Sequence, residues 1–189
     1  MTKTLATAAL TAVMLAGFVG ASDAAQTVPF ATVVAHLRDE QHVPARELAD
    51  AEKLVARVYA EIGVRLVWAD GSAKLAAADG SRHVDVLIMN AEMTARKKPL
   101  PGSLGVASHS ANRASIFYPR IRAHASLTGG HSAVALAFVM AHEIGHVLLS
   151  EDSHAPSGLM RANWQGTLGR VPGFMPSQAA TIRAMLTSQ

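Results

Sequence analysis

Apolar positions change their spacing several times along the chain, and each change marks an element. From Leu5 to Ala21 the run LATAALTAVMLAGFVGA is apolar and small throughout, with Lys3 before it and Asp23 the next charge after it. From Pro44 to Gly63, Leu48, Ala51, Leu54, Val55, Val58 and Ile62 recur at helical spacing, with proline suiting the first turn and glycine the stop. VRLVW then places Val64, Leu66 and Trp68 on one face of a strand, and Ala69-Asp70-Gly71 turns it. HVDVLIMN is a short β-branched run that predicts a buried strand. MTARKKPLPGS reads as a loop on its two prolines and glycine, and LGVASHS and ASIFYPR as two short strands with Asn112-Arg113 near their turn and Pro119 ending the second. IRAHASLTGGHS predicts a helical turn followed by loop. Ser132 to Leu149 is a long helix, apolar nearly all round, with Ser132 suited to its N-cap. Proline and glycine punctuate residues 151–176, which should be mostly irregular, and a short final helix buries Ile182, Met185 and Leu186. The order predicts an α+β fold, a small twisted mixed β-sheet packed on a long buried helix with N-terminal and C-terminal helices beside it.

The first run changes the picture of the N-terminus. A basic start, a short apolar stretch and small residues at its end describe a secretory signal peptide, with cleavage after Ala21 or Ala24. The run is short for the roughly 20 residues of a membrane span, and no second span follows the leader. Residues 1–24 are thus expected to be removed, leaving residues 25–189 as one domain, secreted or periplasmic and not membrane-bound. The chain has no cysteine, so any metal site must be built from histidine and carboxylate. Net charge is +3, the basic residues are scattered, and five percent of the chain is aromatic; a nucleic-acid reader would carry a basic stripe with interleaved aromatics. The densest cluster, Arg96-Lys97-Lys98, reads as solvated loop charge.

Chemistry concentrates in MAHEIGHVLLSEDSHAPSGLM, residues 140–160. His142 and His146 stand four apart on the long helix, so both imidazoles leave one face, one above the other, where a single tetrahedral Zn²⁺ takes both. Glu143 lies one step round, beside such an ion, where it can accept a proton from a zinc-bound water as general base. These three groups interrupt an otherwise apolar helix, and burying ionisable groups is costly unless they are paired or bound to metal. A third ligand must come from elsewhere. No Asp or Glu follows Asp152, which excludes a distant downstream carboxylate. Glu151, Asp152 and His154 remain, unless His83, His109, His124 or His131 folds over the site.

The segment resembles the active-site region of the metzincin zinc peptidases, whose pattern is H-E-x-x-H-x-x-G-x-x-H (or Asp last), followed by a turn carrying a methionine beneath the metal. His142, Glu143 and His146 match it, and Ser157-Gly158-Leu159-Met160 resembles the methionine turn. Leu149 stands at the family's glycine position and Asp152 at its third-ligand position, while a histidine occurs two residues later, at His154. The resemblance therefore implies a third ligand at Asp152 or, with a loop longer by two, at His154. His154 is favoured, because imidazole is the commoner third ligand of this arrangement and the residue leads directly into APSGLM. It further implies a zincin-like fold, an edge strand supplied by LGVASHSANRASIFY that pairs with extended substrate, and a peptidase acting on peptides or proteins; the chain is expected to be a monomer. The tyrosine that some members carry past the methionine turn is absent, and Trp164 there reads as a packing residue. Tyr118 and His109 are candidates for stabilising an oxyanion. Two other functions fit the same residues: a non-catalytic envelope domain with zinc structural or absent, and a hydrolase of small amides.

Overall fold

The computed structural model describes residues 31–71, 80–149, 153–163 and 169–188. The leader, Glu151, Asp152 and Trp164 lie outside the described residues. The chain forms a strand the hydrophobic pattern did not single out, β1 (Ala31–Asp39), then helix α1 (Ala45–Ala60) and strand β2 (Val64–Asp70). Strand β3 (Arg82–Met89), helix α2 (Ala91–Lys97), strands β4 (Gly105–Ser108) and β5 (Arg113–Phe117), and helices α3 (Tyr118–Thr128), α4 (Ser132–Leu149) and α5 (Pro176–Thr187) follow.

The sheet order is β2-β1-β3-β5-β4, so β1 pairs on both sides. It runs parallel to β2 and to β3, β3 runs parallel to β5, and β4 alone is antiparallel, on β5 with Gly105 opposite Ile116 and Ser108 opposite Arg113. Helix α1 is the crossover between the parallel strands β1 and β2, as parallel pairing requires. The fold is α+β with a mixed sheet, as the pattern predicts. Val33 and Ala35 of β1, Val64 and Leu66 of β2, Val84, Val86 and Ile88 of β3, and Ala114 and Ile116 of β5 alternate onto one face. That face meets α1 and α4 in one continuous core.

Two segments differ from the expected loops. Residues 91–97 form α2, because Asn90 caps it by accepting from the Met93 amide at 3.0 Å and Lys98 ends it in the left-handed conformation. Its anchor is Met93, packed on Leu87, Met89 and Phe117, a small second cluster on the other side of the sheet. The basic triplet closes this helix, where positive charge suits the helix dipole, and Arg96 pairs with Glu92 at 3.4 Å on the exposed surface. Residues 118–128 form the full helix α3, buried through Tyr118, Ile121 and Ala125. Pro119 opens this helix rather than merely closing β5: lacking an amide proton, it costs nothing in a first turn. Gly129, with φ of 67°, stops it.

Helix α4 is the centre of the molecule. Every residue from Ala135 to Leu148 is buried, polar ones included. By length and composition it is apolar enough to cross a membrane, but here the sheet, α1, α3 and α5 cover it. Helix α1 braces it through Tyr59, wholly buried, whose hydroxyl donates to the Ala141 carbonyl at 3.0 Å and whose ring meets Phe174 edge-on. Tyr59→Phe, which removes that bond and keeps the ring, should lower stability by about 0.5–1.5 kcal/mol. At roughly 2–4 °C per kcal/mol for a chain of this size, thermal melting should show a fall of a few degrees.

Candidate metal centre

Helix α4 sets the first two imidazoles. His142 and His146 project from one face, and their Nε2 atoms lie 3.0 Å apart. Beyond α4 the chain returns, and His154 brings its Nε2 to 3.1 Å from that of His146. One nitrogen from each of the three lies within 4.8 Å of the others. His142 and His146 are buried and His154 is exposed, so the cluster sits at the floor of an opening.

The surrounding bonds orient the rings. Nδ1 of His142 lies 2.9 Å from the Leu159 carbonyl oxygen. A carbonyl only accepts, so Nδ1 carries the proton and Nε2 presents a lone pair to the centre. Nδ1 of His146 faces Ser153 Oγ at 3.1 Å, a hydroxyl able to accept from it. Burial, with the neighbouring His146 and His154 adding to it against the opposing Leu159 carbonyl, pulls the His142 pKa down to about 4. The ring is therefore neutral at physiological pH, as a metal ligand must be. With all three rings neutral and turned to present a lone pair, one cation would satisfy all three nitrogens. Zinc with nitrogen ligands at 2.0–2.1 Å holds them roughly 3.4 Å apart in tetrahedral geometry, against 3.0 and 3.1 Å for the two pairs that share His146. The donor set fits a zinc ion, with room for a fourth ligand on the open side.

Below the cluster the chain turns tightly. Gly158 takes φ of 77°, open to glycine without strain, and the Ala155 amide donates to the Met160 carbonyl at 2.8 Å. The Leu159 amide is tied to the Gly173 carbonyl at 2.8 Å, which fixes the carbonyl that orients His142. Met160 is fully buried beneath α4: a Cβ on Gly145 would lie 2.6 Å from its sulfur, so a glycine is what lets the turn approach the helix.

Glu143 lies at the opening. It is buried, and burial alone pushes its carboxyl up to about 8, so a cation held by the triad is what would keep it ionised and able to accept a proton near neutral pH. Strand β4 passes against it so closely that a Cβ on Gly105 would fall 2.7 Å from Oε1. The cleft over the cluster has a volume of about 540 Å³, with Leu100, Leu104 and Val106 on one wall, Phe138 and Val139 on another. Among its described lining residues Glu143 is the one acid, and there is no Lys or Arg. Strand β4, last in the sheet order, borders this cleft, and Val106 on it is exposed.

The structure thus brings His142, His146 and His154 together with Glu143 beside them, while Asp152 lies outside the described residues. The other candidates sit elsewhere. Tyr118 donates to Glu47 at 3.0 Å, His109 holds the Val147 carbonyl through Nδ1 at 2.8 Å, and neither lines the cleft. His83 stacks on His36 across the sheet, His124 is on α3, and His131 precedes α4. Spacing alone could not single out Gly105, Ser153 or the Leu159 carbonyl, whose roles come from strand and turn positions that meet α4 only in three dimensions.

No protein-family model and no curated protein sequence matches the chain. Among solved structures it is similar to a zinc-dependent peptidase from Methanocorpusculum labreanum (strain Z), at 14% identity and a TM-score of 0.53. The match covers 78% of this chain and 99% of that one. At that identity the likeness shows the fold: this chain shares its architecture with a zinc-dependent peptidase and carries a histidine triad able to hold a metal.

Zinc should stabilise the folded chain, since three converging ligands exist only there. At zinc one hundred times its dissociation constant the gain is about 2.7 kcal/mol. Calorimetry should therefore show melting rise by about 5–10 °C with zinc and return on chelation. An unchanged melting point would mean that the triad does not hold zinc.

Proposed function

We propose that the chain is an exported, monomeric zinc-dependent metallopeptidase of metzincin-like type, hydrolysing peptide bonds in peptide or protein substrates. The observation that carries this reading is the juxtaposition of a convergent histidine triad with a buried carboxylate in a cleft bordered by an edge strand. The methionine floor beneath Gly145 and the fold shared with a zinc-dependent peptidase support it. The basic, apolar and small-residue run of residues 1–24 supports export.

His142, His146 and His154 would hold the ion. When bound, zinc supplies Lewis acidity, which lowers the pKa of water and polarises a carbonyl. The rest falls to side chains and backbone. An extended peptide adds to the outer edge of β4 by main-chain hydrogen bonds, which requires little of its sequence and brings successive carbonyls past the triad. The apolar walls from Leu104, Val106 and Phe138 favour apolar side chains on the peptide and exclude water. Glu143 takes the proton from the attacking water and delivers it to the departing amine, so one carboxyl serves as base and then acid. Its place against Gly105 sets it beside β4 in the cleft that holds the triad.

Glu143→Gln keeps the size and the neutral surroundings but cannot take a proton. It should bind zinc as the parent does and lower kcat on a peptide by about 10²- to 10⁴-fold. Turnover at the parent rate would remove Glu143 from the mechanism. A zinc-loaded parent that hydrolyses no peptide would favour a binding domain instead.

A further inference from the structure

Helix α5 lies far along the chain from α4, yet its first turn touches the loop that carries His154. Gln178 makes two bonds there. Its Nε2 donates to the Ser153 carbonyl at 2.9 Å, and its Oε1 accepts from the Met175 amide at 3.1 Å. The amide can stand one way only, since the backbone amide donates and the carbonyl accepts. Ser153 in turn faces Nδ1 of His146 through its hydroxyl at 3.1 Å, and its successor is His154. One side chain on α5 thus fastens the residue on which two of the three imidazoles depend.

The anchor behind it is firm. Ala179, Ile182 and Leu186 of α5 are buried in the main core, and Arg183 donates to the Ile62 carbonyl at 3.2 Å. The other end of the loop is tied by the Ala155–Met160 bond. His154 itself is exposed, so core packing does little to hold it, and Gln178 lines the same surface groove as His154 and Ser153.

We infer that Gln178 is a positioning residue for the metal, latching α5 to the Ser153 carbonyl so that His146 and His154 stand converged before the ion arrives. A loop that must be ordered during binding subtracts its ordering cost from the affinity, and the latch removes that cost in advance. Groups that orient metal ligands without touching the metal typically contribute about 10- to 100-fold in affinity. The inference rests on the zinc reading and not on peptidase activity.

Gln178→Glu separates the two bonds. The carboxylate still accepts from the Met175 amide, and an acid in the first turn suits the helix dipole, but it cannot donate to Ser153. Gln178→Leu removes both. Zinc affinity is read by competition with a chromophoric chelator, and the melting of each metal-free chain is read alongside. Q178E should melt within a few degrees of the metal-free parent while binding zinc about 10- to 100-fold more weakly, with Q178L at least as weak. Q178E binding zinc as tightly as the parent overturns the latch. So does a metal-free Q178E that melts far below the parent, which would give Gln178 a merely structural role. A parent chain that binds no zinc overturns the zinc reading and the latch with it.

Discussion

Two imidazoles and a carboxyl are buried inside the most apolar helix of the molecule, and most of the architecture answers to that. Left alone, such groups would cost several kcal/mol and unravel the packing around them. Each is accounted for by a different element. The Leu159 carbonyl accepts a hydrogen bond from His142 Nδ1, Ser153 faces His146, and β4 closes over Glu143 at the one position without a side chain. At the centre the three imidazole nitrogens face one another, a donor set that a cation would take.

That requirement explains why distant parts of the chain converge on α4. Helix α1 braces it from below through Tyr59, and the turn at Met160 fits under Gly145. Helix α5 reaches the ligand loop through Gln178. The site combines rigid and looser parts. His142 and His146 are as fixed as the core, whereas His154 is exposed and held by its neighbours. The open side faces a cleft with apolar walls, bordered by β4.

The sequence made the helices legible where the apolar spacing was long. The limits of α4 and the spacing of His142, Glu143 and His146 follow from one periodic run, and α1 and β2 from equally regular patterns. Short elements escaped. Helix α2 is too brief for periodicity to show, and its signal was the cap at Asn90. In α3 the paired glycines concealed a helix that Pro119 in fact begins. Strand β1 carries apolar side chains on both faces, Val33 and Ala35 inward and Val34 outward, and so shows no clean alternation. The third ligand marks the limit in the site: two residues in one loop satisfied the chemistry, and loop geometry, which brings His154 to the triad, is not written in spacing.

An anomalous-difference map at the zinc edge, from crystals of the zinc-loaded chain, bears most directly on the claim that three histidines close around one ion. A single peak should lie about 2.0–2.1 Å from Nε2 of His142, His146 and His154. A peak ligated by Asp152 in place of His154, or zinc bound away from α4, would contradict the account.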